Sequence, residues 1–235
     1  PDVVVREYGA DVLRLFIQFA APPDRDLDWN EKGLEGCFRF LNRLWRLLYR
    51  FREQLEVTSL DQSISQDSSG QVRALRRKLH QCIRKVTVDL ERVHQNTAIA
   101  SIMELLNAVY EYTDRDKVPD MALLRETLET IALILSPFAP HFCEEMWEIL
   151  GHSKSLASGV WPEFDPQLAR EEEIEIVVQV NGRIRSRFLV ESGVSNKDMK
   201  ESALNDEKVK TYLEDKSIRK VIVVPEKLVN IVLEP

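Results

Sequence analysis

The residues of this sequence with the clearest chemical potential are arginines that recur at helical spacing. Residues 36–52 contain five arginines and no acidic residue. At 3.6 residues per turn, four of them share one side of a helix; these are Arg39, Arg43, Arg46 and Arg50. The opposite side is apolar, so we expect Trp45 to lie in a core. Because like charges at this spacing repel one another, the stripe favours an anionic partner such as a phosphate backbone.

A second basic face is predicted on a helix over residues 72–93. No acidic residue occurs from Ser68 to Val88, and basic residues repeat the spacing of the first stripe opposite an apolar face. These basic residues are Arg73, Arg77, His80 and Arg84. Surface arginines are usually solvated or paired with acids on neighbouring helices, and one stripe alone favours that explanation. With two stripes at the same spacing, anion binding is as well supported as solvation or pairing with acids of the same protein.

No combination of residues predicts a catalytic or metal site. His141 and Cys143 are two residues apart, so a helix directs them to different sides. Residues 33–36 are too short to form a phosphate-binding loop, and residues 171–173 form an acidic run that we expect to be solvated. We therefore predict no catalytic residue, no metal ligand and no cofactor within this chain.

Composition indicates a globular chain with a local, not a general, basic surface. The 235 residues carry a net charge of −7, which argues against a uniformly basic nucleic-acid binder. Residues 1–173 hold 21 basic and 29 acidic residues, and residues 174–235 hold 11 and 10. The three cysteines stand far apart, which predicts free thiols in a reducing compartment. No apolar run is long enough to span a membrane, and we expect a cytoplasmic protein without a membrane partner.

Periodicity predicts a mainly α chain with a small α+β end. Helical patterns separated by short breaks predict an antiparallel bundle over residues 30–151. Residues 152–173 have no sustained period, which indicates a linker. From residue 174 to 235 the pattern predicts the order ββααββ, with a hairpin at Asn181-Gly182. In the second strand, alternation places Arg183, Arg185 and Arg187 on one face, opposite Ile184 and Phe188.

Specific strings resemble one family of proteins. Residues 1–47 are similar to the segment that follows the Lys-Met-Ser-Lys-Ser loop in class I aminoacyl-tRNA synthetases. Their matching residues are Tyr8-Gly9-Ala10-Asp11, Arg14, Pro22-Pro23, Asp28-Trp29 and Arg39-Phe40-Leu41. Residues 136–147, SPFAPHFCEEMW, resemble the last bundle helix of the leucine, isoleucine and valine enzymes. VVQVNGRIRSRF and IRKVIVVPEKLVNIVL resemble the C-terminal module of the bacterial-type leucyl-tRNA synthetase family.

The resemblance implies a division of the chain and a set of partners. Residues 1–29 would be the end of the catalytic core and its stem-contact region, and residues 30–151 the anticodon-binding helical bundle. After the linker, residues 174–235 would be the C-terminal tRNA-binding domain. The complete enzyme would be a monomer that joins leucine to tRNA(Leu) with ATP and Mg²⁺. The nucleotide-binding motifs and the editing domain are absent from this sequence, so we expect a C-terminal fragment that does not aminoacylate by itself.

Such enzymes do not depend on anticodon bases, so the resemblance implies that the bundle holds the tRNA backbone and the C-terminal domain reaches the tRNA elbow. The candidate tRNA-binding residues are Arg39, Arg43, Arg46, Arg50, Arg73, Arg77, Arg84, Arg183, Arg185, Arg187, Arg219, Lys220 and Lys227. Two alternatives remain open. One is a non-catalytic assembly module that docks a separate catalytic chain, and the other is an independent RNA-binding protein.

Overall fold

The structure is a computed structural model that describes residues 2–22, 25–27, 29–58, 70–114, 119–170, 173–213 and 216–234. The chain divides into two compact units, Pro1–Ala169 and Arg170–Pro235. The predicted class, mainly α followed by a small α+β part, is confirmed. The finer division into a stem region, a bundle and a tail stays a prediction.

Helices build the first unit, and polar residues fix where several of them begin. The described helices are α1 (Asp2–Tyr8), α2 (Ala10–Ala20), α3 (Glu31–Arg50), α4 (Arg52–Val57), α5 (Gly70–Glu91), α6 (Gln95–Thr113), α7 (Met121–Leu135) and α8 (Pro140–Ile149). The Asn30 side chain accepts the amide hydrogens of Lys32 and Gly33. Asp120 caps α7 in the same way, and Pro140 occupies the first turn of α8. Each device satisfies or avoids an amide that the helix leaves unpaired.

The core of this unit runs along the apolar faces that the sequence predicts. Leu44 and Leu48 of α3 are fully buried, as are Ile102 of α6 and Leu128 of α7. Helix α5 packs along α6, α2 packs on α3, and α7 packs on α8. Because the apolar side of α3 is turned inward in this way, its arginines are left on the outer side.

A buried arginine ties two helix ends together inside this unit. The guanidinium of Arg125 in α7 donates to the carbonyl oxygens of Leu55 (2.6 Å), Thr58 (3.2 Å) and Leu150. Its Nε donates to Glu129 at 3.0 Å. These carbonyls lie at the ends of α4 and α8, where backbone acceptors lack a helical partner. Arg125 therefore satisfies acceptors from segments that are far apart in the sequence.

Part of the segment after α8, within the predicted linker over residues 152–173, packs on the helices of the first unit. The indole of Trp161 donates to Thr87 (2.9 Å), and the side-chain amide of Gln81 donates to the carbonyl of Ala169 (3.0 Å). Leu156, in a 3₁₀ turn, is buried. The absence of a period reflects an irregular backbone, which hydrogen bonds at Trp161 and Ala169 hold against α5.

A four-stranded sheet with two helices forms the second unit. Its elements are β1 (Glu173–Val180), β2 (Arg183–Glu191), α9 (Asn196–Asn205), α10 (Glu207–Leu213), β3 (Ile218–Val224) and β4 (Leu228–Leu233). The strand order is β2-β1-β4-β3, with β1 and β4 parallel and the outer pairs antiparallel. Ile176, Val178, Val229 and Ile231 are buried in one cluster with Met199 and Val209 of the two helices. The helices therefore cover one face of the sheet.

The turn between β1 and β2 is the one that the Asn-Gly pair predicts. Asn181 and Gly182 both have positive φ, 50° and 77°, as a two-residue turn of type I′ requires. The Asn181 side chain accepts the amide hydrogen of Leu233 at 2.9 Å, and Asn230 accepts that of Gly182 at 3.2 Å. The hairpin is thus joined to β4 as well as closed on itself.

The expectation that Trp45 is a core residue is only partly met. Trp45 is half-buried, and its ring pairs with Phe142 at 5.6 Å and with Tyr49 at 5.0 Å between centroids. It lies where α3 and α8 leave an open groove beside α1 and α2. Trp45 lies on the predicted side of α3, but the open groove leaves part of its indole exposed at the edge of the core.

We expect Trp45→Ala to lower the free energy of unfolding by about 1–2 kcal/mol, against about 3–5 kcal/mol for a fully buried Trp or Phe. The reason is that part of the indole is in water before the substitution and no closed cavity is left after it. Urea unfolding of the two proteins measures the difference. A loss of about 3–5 kcal/mol would contradict this expectation and show that the Trp45 indole is fully buried in solution.

Candidate nucleic-acid interface

The α3 stripe emerges on the outer surface of the first unit. Arg39, Arg43, Arg46 and Arg50 are all exposed. Arg39 lies 3.6 Å from Glu35, one turn earlier in the same helix. Exposed pairs of this kind contribute little to stability, so Arg39 can exchange this carboxylate for another anion at small cost.

Helix α6 supplies partners for two arginines of the stripe. Arg43 donates to the Asn107 side chain at 3.0 Å, and its guanidinium lies 4.7 Å from the centre of the Tyr110 ring. Arg50 forms an ion pair with Asp114 at 2.8 Å. These contacts restrict the guanidinium groups of Arg43 and Arg50 while leaving both side chains exposed, so they remain accessible to a phosphate.

Arg46 differs from its neighbours in the stripe. It is exposed and has no hydrogen-bond or ion-pair partner among the described residues. A lone guanidinium in water keeps all five donors available to a ligand. In the stripe, Arg39, Arg43 and Arg50 are thus oriented by nearby side chains, whereas Arg46 has all its hydrogen-bond donors available.

The second predicted face is interrupted by His80. Only 7% of this residue is exposed, and its Nδ1 accepts the amide hydrogen of Asp165 at 3.1 Å. Burial, with a smaller contribution from the charge of Arg76, lowers the pKa of His80 below its usual value. The expected continuous face is wrong at this position, because residues 160–169 cover this side of α5.

The remaining basic residues of that face are divided by the buried histidine. Arg73 and Arg84 are exposed and Arg77 is half-buried, and Arg73 and Arg77 both have interaction partners. Lys78 on the same helix pairs with Glu104 at 2.7 Å. Several basic side chains of α5 therefore interact with other groups of the same protein. This agrees with the alternative that surface arginines are solvated or paired with neighbouring acids.

A β-bulge separates the three arginines of β2. Val177 pairs with Arg187, whereas Val180 pairs with Arg183, and the register shifts between Val178 and Gln179. Cross-strand partners share a face of the sheet. Val180 is buried in the helix-covered cluster, and Val177, an odd number of residues away in β1, faces the opposite side. Arg183 and Arg187 therefore lie on opposite faces, and the predicted single-faced ladder is wrong. The extra residue of a bulge shifts the alternation by one.

The bulge residue Arg185 makes a contact that the sequence did not reveal. Its guanidinium lies 4.2 Å from the centre of the Tyr212 ring in α10, and its Nε is buried without a hydrogen-bond partner. Stacking on an aromatic face orients a planar guanidinium. No short-range pattern links residues 185 and 212, so only the fold identifies this pair.

The other predicted residues of the second unit lie on its surface. Arg187 pairs with Glu175 at 3.0 Å, whereas Arg219 and Lys220 are exposed on β3 and Lys227 on the turn before β4. In addition, Lys208 and Lys210 are exposed on α10, the helix that carries Tyr212. The fold thus adds two lysines that were not candidates to the helix beneath Arg185.

Groups that could perform chemistry are in unreactive settings. Burial raises the pKa of Cys37 and of Cys82 to about 11 and that of Cys143 well above its usual value, so these thiols stay protonated. His141 contacts the Asp11 carboxylate at 2.9 Å, away from the buried Cys143. Among the described residues, no group of three His, Cys, Asp or Glu side chains is placed to hold a metal ion.

No helix in the described part of the chain has the length and apolar character needed to cross a membrane. The described surface offers instead exposed arginines and lysines in both units. Exposed cations of this kind are the groups that contacts with a phosphate backbone require.

Comparison with known proteins gives a family and a set of relatives. The family described as the anticodon-binding domain of tRNA ligase matches residues 72–201, which is more than half of the chain. A leucine–tRNA ligase of Geobacter sp. strain M21 is 44% identical over 235 residues, covering 99% of this chain and 28% of the relative. One from Desulforapulum autotrophicum is 46% identical and is covered to 27%. The chain thus spans little more than a quarter of the length of these relatives.

A solved structure shares the fold over the whole chain. It is the ternary complex of Agrobacterium radiobacter K84 agnB2 LeuRS with tRNA and LeuAMS. The TM-score is 0.88 at 29% sequence identity, and the match covers 100% of this chain and 30% of that one. The two-unit architecture is therefore found within a larger protein that was crystallised with tRNA.

Proposed function

Because the chain belongs to the family of anticodon-binding domains of tRNA ligases, we propose that it is the tRNA-binding C-terminal portion of a leucine–tRNA ligase. The complete enzyme joins leucine to tRNA(Leu) using ATP and Mg²⁺. The names of the relatives and their coverage by this chain support this assignment. Nucleotide, metal ion and leucine would be bound by catalytic and editing domains elsewhere in the same polypeptide.

The observation that carries the proposal is the row of exposed guanidinium groups on α3, with Arg46 free of partners among the described residues. Guanidinium groups bind phosphate oxygens through pairs of hydrogen bonds. Phosphate contacts fix the position of a nucleic acid without reading its bases. The first unit would therefore hold the tRNA backbone, and Arg73, Arg77 and Arg84 of α5 are further candidates for phosphate contacts.

The second unit would contact the tRNA elbow, where the path of the backbone is distinctive. Its candidate residues are Arg183, Arg185, Arg187, Arg219, Lys220 and Lys227. Arg185 is held against Tyr212, and a fixed guanidinium loses less conformational freedom on binding a phosphate than a mobile one. We further propose that the enzyme is a monomer and acts in the cytoplasm.

A non-catalytic assembly module is the second candidate function. It is favoured by the internal partners of Arg39, Arg43 and Arg50, since paired side chains do not require an external anion. In this case the bundle would dock a separate catalytic chain, and its arginines would only be solvated. The two functions differ in whether the chain binds tRNA.

Binding of tRNA(Leu) to the purified chain over a range of salt concentrations tests the proposal. The logarithm of the association constant should fall linearly with the logarithm of salt concentration, because each phosphate contact releases counterions. The chain should show no leucine-dependent pyrophosphate exchange. Absence of salt-dependent tRNA binding would favour the assembly module. Leucine activation by the chain would contradict the proposal that the catalytic domain lies elsewhere in the polypeptide.

A further inference from the structure

The contact between Arg185 and Tyr212 joins the sheet of the second unit to helix α10. The guanidinium of Arg185 lies 4.2 Å from the centre of the Tyr212 ring. Arg185 forms no hydrogen bond or ion pair with the described residues, and its Nε is buried without a partner. The ring orients the guanidinium but does not neutralise it. Arg185 therefore carries a half-buried positive charge with no anion beside it among the described residues.

Other arginines of this unit have acidic partners. Arg187 pairs with Glu175 at 3.0 Å. Arg170 lies 4.0 Å from Glu226. A charge that is partly removed from water is costly unless an anion accompanies it. Because part of the Arg185 side chain still meets water, an external anion can approach that part and supply the missing charge.

The Asp206 carboxylate fixes both sides of the contact before any ligand arrives. Its Oδ2 accepts the hydroxyl hydrogen of Ser186, the residue after Arg185, at 2.8 Å. Its Oδ1 accepts the amide hydrogen of Val209, in the first turn of α10, at 3.0 Å. One carboxylate thus ties the bulge of β2 to the start of the helix that carries Tyr212. A guanidinium positioned in advance loses less freedom when it binds.

The side of α10 that carries Tyr212 also carries a second cation. Lys208 is exposed and lies four residues before Tyr212, so the two side chains are neighbours on one side of the helix. Lys210 is exposed as well, but it lies on the other side of the buried Val209. Lys208, and not Lys210, is therefore placed on the Arg185 side of the helix.

An RNA phosphate is the ligand that this arrangement favours. A stacked guanidinium can still donate paired hydrogen bonds to phosphate oxygens, and a lysine nearby adds a flexible point charge. Contacts of this kind position a nucleic acid without reading its bases. An acidic segment of protein would be the alternative ligand, and the kinetic constants of tRNA charging distinguish it from RNA.

We propose that Tyr212 is a positioning residue, which holds Arg185 for contact with a backbone phosphate of tRNA, and that Lys208 contacts the same stretch of backbone. This inference rests on the proposed function, in which the second unit binds tRNA. It also gives a reason for the bulge in β2, since the extra residue turns Arg185 towards α10.

Charging of tRNA(Leu) by the complete enzyme, measured over a range of tRNA concentrations, tests the role of Tyr212. We expect Tyr212→Leu to raise the KM for tRNA about threefold to tenfold and to change kcat little, because the ring acts through tRNA binding. Tyr212→Phe keeps the ring and should hold the KM within about twofold of its original value. An equal rise in the two variants, or no rise in Tyr212→Leu, would overturn the proposal.

A double substitution separates positioning from support of the fold. If Tyr212 acts through Arg185, Tyr212→Leu should raise the KM by less than about twofold once Arg185 is already glutamine. Equal effects with and without Arg185 would mean that Tyr212 only supports the folded unit, and the positioning role would be abandoned. A fall in kcat at unchanged KM would mean that the pair contacts protein and not RNA, which also overturns the proposal.

Lys208 has a matched control on the same helix. Lys208→Gln should make the slope of log K against log salt for tRNA binding shallower by about 0.7–0.9, the share of one phosphate. Lys210→Gln makes the same change in charge and should alter the slope much less; equal shifts would overturn the role of Lys208. Failure of the proposed function has a different signature, because Arg185→Gln would then leave the KM for tRNA unchanged. If only the positioning role fails, the effect of Arg185→Gln remains and its dependence on Tyr212 disappears.

Discussion

Replacing Arg125 with methionine should lower the free energy of unfolding of the first unit by about 3–5 kcal/mol. Arg125 is 6% exposed, and its guanidinium donates to the carbonyls of Leu55, Thr58 and Leu150 and to the Glu129 carboxylate. Methionine fills much of the same volume but donates no hydrogen bond. The substitution would leave three buried carbonyl oxygens without their donor and the Glu129 carboxylate with only its 2.9 Å contact to His152. Buried acceptors left without a donor cost more than the lost contacts themselves.

Urea unfolding followed by circular dichroism measures this effect. Arg84→Met is the matched control, because Arg84 is exposed and has no partner among the described residues; it should change stability by no more than about 0.5 kcal/mol. Adding Glu129→Gln to the Arg125 variant should recover part of the loss, since it removes a carboxylate charge that has lost its arginine partner. A loss below about 1 kcal/mol for Arg125→Met would contradict the role assigned to this side chain.

Replacing the four arginines of the α3 stripe with glutamine should reduce the salt dependence of tRNA binding. If each arginine meets one phosphate, the slope of log K against log salt should become shallower by about 0.7–0.9 per residue, or roughly 3 in all. The loss should be nearly the same for any tRNA, because phosphates carry no sequence. Single variants divide the effect, and Arg46→Gln should contribute a full share because Arg46 has no partner among the described residues that competes with a phosphate.

A control with the same change in charge separates local contacts from general attraction. Glutamine at the exposed Arg6, Arg92, Lys154 and Lys197, which lie outside the stripe, should alter the slope much less. Unfolding curves check that both variants remain folded. Equal shifts in the two variants would mean that the stripe acts only through net charge and does not contact phosphates.

Local patterns in the sequence predicted most of the fold. The periodicity of α3 identified its buried face, and the Asn181-Gly182 pair identified the hairpin, because both depend on residues that are close together in the chain. The resemblance to a synthetase family placed the elements in the right order. The helical periodicity and the turn pair depend on residues close together in the chain, and the observed helix and hairpin agree with both.

Long-range contacts account for what the sequence did not predict. His80 is buried because residues around Asp165, far along the chain, cover it. The arginines of β2 are divided by a bulge, whose extra residue leaves no signature in a strand of alternating residues. Arg185 meets Tyr212 only after the sheet and α10 are assembled. The candidate site was therefore predictable as a set of basic residues, but its faces and partners were not.

The measurement that tests the central claim most directly is a pair of assays on the complete enzyme with Arg183, Arg185 and Lys227 replaced by glutamine. If this chain positions tRNA and performs no chemistry, charging of tRNA(Leu) should fall while leucine-dependent pyrophosphate exchange stays unchanged, because activation of leucine needs no tRNA. The loss of charging should appear mainly as weaker tRNA binding. Equal losses in the two assays would mean that these residues support the folded enzyme, and the tRNA-positioning role would have to be abandoned.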